Sequence, residues 1–157
     1  MKMTIASIAL AISAVSFAGA QTLTVDHLTQ SQLIQKAQEL NAKAQNPEGA
    51  ASSKLNEYPN SLTMIALRRK NGGAEIHENY ADFFFVVQGS AKLLTGGTVL
   101  DGKSVSPGEI RGKSVVNGVE TTLNQGDIVH IPATVPHQLL LREGGTFLYF
   151  VIKVKEK

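Results

Sequence analysis

The sequence predicts an all-β barrel or sandwich carrying one α-helix on its N-terminal side. Three observations lead there. From Ser61 onward the chain breaks into short runs rich in Val, Ile, Leu and Phe, split by Gly, Asn and Pro. No helical pattern interrupts those runs, which points to strands packed on strands. Residues 21–60, by contrast, hold a single stretch at helical spacing.

A leader is expected ahead of both. Lys2 gives a positive start, Ile5 to Phe17 is apolar apart from small Ala and Ser, and Ala18-Gly19-Ala20 supplies a small-x-small cleavage pattern. Cleavage before Gln21 is expected, with export to the periplasm or beyond. A membrane anchor is the competing reading, but the run is short against the roughly 20 residues a span needs. Removing residues 1–20 takes away Lys2 and no acid, so the net charge falls from +2 to +1. That balance offers no footprint for nucleic acid. Cysteine is absent, so no disulfide can assist and the core must hold the domain by burial.

The helix comes next. In "TQSQLIQKAQELNAKAQ" the residues Leu33, Ile34, Ala37, Leu40 and Ala44 fall on one face, Thr29 or Ser31 can cap the start, and Pro47 and Gly49 mark the end. A helix over about 30–44 is expected, packed on the main body or binding a partner. Residues 21–60 are taken as this helical extension and 61–157 as the barrel. Within the barrel, "DFFFVV" is apolar on both faces, so it should be covered on both sides, by the helix or by a second barrel. "FLYFVIKVK" ends in alternating Val and Lys, which suggests an edge or solvent-facing strand end. Asp101 to Gly118 is polar and glycine-rich and reads as a long loop with some hairpin character.

Only four histidines occur, and His130 and His137 share the stretch "GDIVHIPATVPHQ". Its spacing, Gly126-x5-Pro132-x-Thr134-x2-His137, resembles the second motif of the cupin family, Gly-x5-Pro-x-Gly-x2-His-x3-Asn. Thr134 stands in the glycine position and Leu141 in the asparagine position. The first cupin motif, Gly-x5-His-x-His-x3-4-Glu-x6-Gly, resembles "AEIHENYADFFFVVQG". Asp82 there replaces Glu, and Gly89 follows at the right spacing. Either His77 is the second motif histidine and Glu75 occupies the first position, or His77 is the first and Asn79 replaces the second. One histidine is missing in both alignments.

The resemblance covers roughly residues 62–154 and implies a single jelly-roll barrel. It implies a divalent metal at the mouth (Zn, Fe, Ni or Mn), because imidazoles plus a carboxylate on rigid strands suit such ions. It implies that the strands of His77 and His137 lie side by side, as do those of Asp82 and His130. The expected ligand set is His77, Asp82, His130, His137 and Glu75, with His130 making up for the missing imidazole. Duller roles compete: a rim histidine for His137, buried polar filler for His77, a core imidazole for His130, a solvated strand end for Asp82, and a salt bridge to Arg68 or Arg69 for Glu75. Cupins commonly pair, so a homodimer is expected by resemblance.

The expected function is an exported small cupin that binds a divalent metal, a small organic ligand, or both, in the barrel mouth. The alternatives are a metal-dependent enzyme of the dioxygenase or isomerase type acting on an oxygen-rich small molecule, and a non-catalytic ligand-binding or structural barrel.

Overall fold

The computed structural model describes residues 25–156; the expected leader lies outside them. One helix, α1 (Gln30–Lys43), precedes twelve strands. Thr29, rather than Ser31, caps α1. Its hydroxyl accepts a hydrogen bond from the Gln32 backbone N–H, and the Gln32 side chain accepts one from the Thr29 N–H, which closes a capping box.

The strands are β1 (Ala50–Tyr58), β2 (Ser61–Arg68), β3 (Ala74–His77), β4 (Tyr80–Thr95), β5 (Thr98–Leu100), β6 (Lys103–Ser106), β7 (Glu109–Gly112), β8 (Ser114–Val116), β9 (Val119–Asn124), β10 (Ile128–Ile131), β11 (His137–Leu140) and β12 (Phe147–Lys155). They pair antiparallel along the path β1-β2-β12-β4-β11-β3-β7-β6, with β9 and β10 also on β4 and a separate β5–β8 pair. The 16-residue β4 joins two sheets. Its first half pairs with β10 and β12, and its second half with β9 and β11. The changeover comes at Gly89, whose φ of +87° suits glycine alone. A Cβ there would meet the Thr146 carbonyl oxygen at 2.0 Å.

Strand periodicity sorts the side chains into two layers. Ala66, Phe84, Val86, Leu93, Phe147, Tyr149 and Val151 point into the barrel. The alternate residues Ile65, Leu67, Val87 and Leu148 point out and meet Leu33, Leu40 and Ala44 of α1. Burying Leu33 and Leu40 contributes roughly 1.5–3 kcal/mol each. The helix thus covers the outer face of "DFFFVV" at Val87, while Phe83 and Phe85 stay half-buried, Phe83 against His130.

Three expectations are corrected. Residues 50–58 are a strand rather than part of a helical extension; β1 is a polar edge strand held by β2, so the sheet begins before Ser61. The Asp101–Gly118 segment has its expected hairpin, β6 with β7, but is no loop: it also contains β8, and β7 pairs with β3. β12 lies between β2 and β4 and is no edge; Lys153 alternates inward because the barrel interior turns polar at that level. No helix among the described residues is long and apolar enough to cross a membrane.

Candidate metal centre

Strand register assembles the site. His137 on β11 pairs directly with Glu75 on β3. On the other side of β3, Glu75 pairs with Arg111 of β7, and His77 with Glu109. In the opposite sheet Asp82 of β4 pairs with Lys153 of β12. Cross-strand neighbours of this kind sit close enough to interact through their side chains, and every one of these pairs does so except His137 with Glu75, which approach without bonding.

Four of the five expected residues converge. His77, Asp82 and His137 are each no more than 4% exposed. Ligand-type atoms of Glu75, His77 and His137 all lie within 4.8 Å of one another. Asp82 joins them: its Oδ2 is 3.3 Å from His77 Nε2 and 3.8 Å from His137 Nε2. Of the two motif alignments, the one that puts Glu75 in the first histidine's position matches this arrangement.

His130 does not join. Its strand does lie beside that of Asp82, but the residue paired with Asp82 is Ile131, which fills the core. His130, one step away, faces outward, is exposed, and stacks on Phe83 at 4.4 Å between ring centres. Adjacent strand residues cannot share a face, so a buried Ile131 sends His130 to the surface. His27 is also exposed.

The two histidines are held differently. His77 directs Nδ1 at both oxygens of Glu109, at 2.8 and 2.9 Å. Its Nε2 faces Asp82 at 3.3 Å and Glu75 at 3.5 Å. Burial opposes a charge on this ring, but Asp82 and Glu75 outweigh it and raise the pKa to about 9. His137 donates from Nδ1 to the Val135 carbonyl at 3.0 Å. That fixes its tautomer and leaves the Nε2 lone pair facing inward. Burial pushes the His137 pKa down, so the ring is neutral.

The carboxylates stay charged. Burial works against ionised Glu75, but His77, Arg111 and His137 together hold its pKa at about 2. Burial likewise opposes ionised Asp82, and His77 and Lys153 more than compensate, lowering its pKa. Lys153 Nζ donates to Asp82 Oδ1 at 2.7 Å.

These residues fit a divalent ion. His137 Nε2 is buried and has no hydrogen-bond partner, although buried polar atoms are nearly always paired. Its lone pair faces the oxygens of Glu75 and Asp82, at 3.9 and 3.8 Å, an arrangement a cation between them would satisfy. Two imidazoles with one or two carboxylates suit Zn, Fe, Ni or Mn. With an ion bound, Glu109 would be the outer carboxylate that orients His77. His77 becomes a ligand only once its Nε2 proton leaves.

The motif positions fit the backbone too. Thr134 has φ +70°, which explains why glycine usually stands there. Its N–H donates to the His77 carbonyl at 2.8 Å and ties the two motifs together. Sequence reasoning missed Glu109, Arg111 and Lys153 as parts of this site. Lys153 carried a usable signal, since it shares the inward parity of Tyr149 and Val151.

Solved structures share this architecture. DMSP lyase DddQ from Ruegeria pomeroyi is 16% identical with a TM-score of 0.50; the match covers 68% of this chain but only 47% of that one. An uncharacterized conserved protein with a double-stranded β-helix domain from Klebsiella pneumoniae is 18% identical with a TM-score of 0.52, covering 70% of this chain and 79% of that one. The cupin domain of Cnp3 from Schizosaccharomyces pombe is 7% identical with a TM-score of 0.51, covering 68% of this chain and 65% of that one. No family model and no curated protein matches the sequence. The barrel has the cupin, or double-stranded β-helix, fold.

Proposed function

We propose that this cupin-fold protein binds a divalent metal at Glu75, His77, His137 and Asp82, and takes a small organic ligand in the cavity beside it. The observation that carries the reading is His137 Nε2, buried, unpartnered, and aimed at two carboxylates. The cavity measures about 300 Å³ and has Glu75, His77 and Asp82 in its wall. A bound metal would supply Lewis-acid polarisation of a ligand oxygen. Glu109 would hold the His77 ring, Lys153 would hold Asp82, and the apolar side chains of Phe84 and Val151 would restrict water.

A second reading is a ligand pocket that works without metal. It is favoured by the Lys153–Asp82 and His77–Glu109 pairs, which already balance much of the buried charge. Cobalt(II) titration followed by visible absorption, with elemental analysis of the native protein, separates the two. Under the metal reading one ion binds per chain. His77→Ala and His137→Ala each abolish it, while His130→Ala leaves it intact. Metal occupancy that survives both of the first two substitutions rules the site out.

Export completes the proposal. Residues 1–20 would be removed and the mature chain would begin at Gln21. Intact mass of the protein from a periplasmic fraction tests this. Pairing of two barrels into a homodimer is proposed alongside, to be read by light scattering.

A further inference from the structure

We infer that the ligand is a small organic anion, its carboxylate seated against Arg68 and Arg111. This rests on the ligand-binding reading above and names the ligand's chemical class.

The cavity wall contains three cationic side chains, Arg68, Arg111 and Lys153, against two carboxylates, Glu75 and Asp82. One of the cations is fully committed and a second, still 40% exposed, in part. Lys153 is bonded to Asp82. Arg111 pairs with Glu75 and donates from Nη2 to Glu109 at 3.1 Å. Arg68 meets the Tyr149 hydroxyl but reaches no carboxylate. Its Nη2 stands 3.9 Å from Glu75 Oε1, beyond hydrogen-bond reach. Its Nε is buried with no hydrogen-bond partner, and the side chain is only 15% exposed. Leaving a buried cationic donor unsatisfied is costly, so a guanidinium in this condition calls for an acceptor.

The position of Arg68 follows from the sequence. It continues the inward row of Met64 and Ala66 on β2, so its side chain must enter the barrel. Space is left for it at Gly72, where a Cβ would meet Arg68 Nη1 at 2.8 Å. Arg68 and Arg111 both approach Glu75, which brings the two guanidinium groups to the same end of the cavity. Planar guanidinium groups match a carboxylate with paired hydrogen bonds. Met64, Phe84 and Val151 provide apolar wall for a short carbon skeleton. A divalent ion at the histidines would add positive charge nearby and favour an anion further.

The test is calorimetry with acetate, malonate and succinate, each against its neutral amide, on cobalt-loaded and on chelator-treated protein. At least one acid should bind, and its amide should bind at least about tenfold more weakly, the scale of one lost charge-assisted hydrogen bond. Arg68→Gln should weaken the acid by a similar factor while cobalt stoichiometry and the visible spectrum stay unchanged. Arg111→Gln, at a more exposed side chain, should act in the same direction and guards against a folding defect in the first variant. Amides that bind as well as acids, no acid binding, or unchanged acid affinity in both variants would each overturn the anion seat. Cobalt reports separately on the metal. If wild-type protein takes up no cobalt, the metal reading fails by itself, and the chelator-treated arm decides the anion seat by the same criteria.

Discussion

The two faces of β2, β4 and β12 contrast sharply although the same three strands supply both. Outward, Ile65, Leu67, Val87 and Leu148 lie under α1 in an entirely apolar layer. Inward, at the opposite parity of the same strands, Arg68, Asp82 and Lys153 meet around a cavity. A single step along a strand changes the medium from dry hydrocarbon to a compensated set of buried charges. The contacts under α1 and the binding groups therefore lie at opposite parity, and substitutions under the helix should spare the site, whereas the inward face serves both the core and the site.

The largest effect expected is on the inner face. His137→Ala should lower cobalt(II) affinity by at least about 100-fold, because it removes a ligand outright. It should also lower the stability of chelator-treated protein, because truncating a ring only 4% exposed leaves a cavity. Leu40→Ala should act on stability alone: Leu40 is 2% exposed, and the substitution should cost about 2–5 kcal/mol by urea unfolding with cobalt affinity unchanged. Metal loss in the Leu40 variant at temperatures where it is folded would break the separation.

Glu109→Gln sharpens the comparison within the inner face. It keeps size and shape but loses the charge that orients His77, and should lower metal affinity about 10–100-fold. An unchanged affinity would mean that Glu109 is only a surface partner.

Acidity should act on the inner face alone. In chelator-treated protein, His77 has its pKa raised to about 9. Its contribution is complete below the unfolded value of about 6.5 and is lost as pH rises through about 9. Glu75, lowered to about 2, contributes above its unfolded value of about 4.3, and that contribution is lost as pH falls through about 2. Urea unfolding should therefore be firmest between these limits, and His77→Ala should remove the alkaline fall. A variant that keeps the alkaline fall would assign it elsewhere.

The smallest effect lies at the motif turn. Thr134→Gly relieves a β-branched residue at positive φ and should raise stability by roughly 0.5–1 kcal/mol after the glycine entropy cost. A destabilised variant would show that the threonine side chain outweighs the strain.

Much of this was legible before any coordinates. Strands with an apolar inward row declare themselves, as residues 61–68, 82–87 and 137–140 do. Glu75, His77, Asp82 and His137 were reachable because their spacing follows two short motifs. His130 was misassigned because the apolar neighbours Val129 and Ile131 were not used to set parity; if Ile131 faces in, His130 faces out. Glu109 and Arg111 were hidden in a polar glycine-rich stretch: its β6–β7 hairpin is local, but only the pairing of β7 with β3, a long-range contact, brings them to the site. β1 was hidden for a related reason: "AASSKLNEY" has no β-branched residue, and its order comes from pairing with β2 and from Ala51 and Leu55 packing toward α1.

β4 belongs to both sheets, and the chemistry straddles them. Arg68, Asp82 and Lys153 come from one sheet, while Glu75, His77 and His137 come from the other. Any occupant therefore acts as a rivet across the seam, adding stability that grows with its concentration over its dissociation constant. Both histidines and Glu75 lie on one sheet, so closure of the barrel would add only Asp82 and the cavity wall to them, and an occupant's affinity should rise as the second sheet docks.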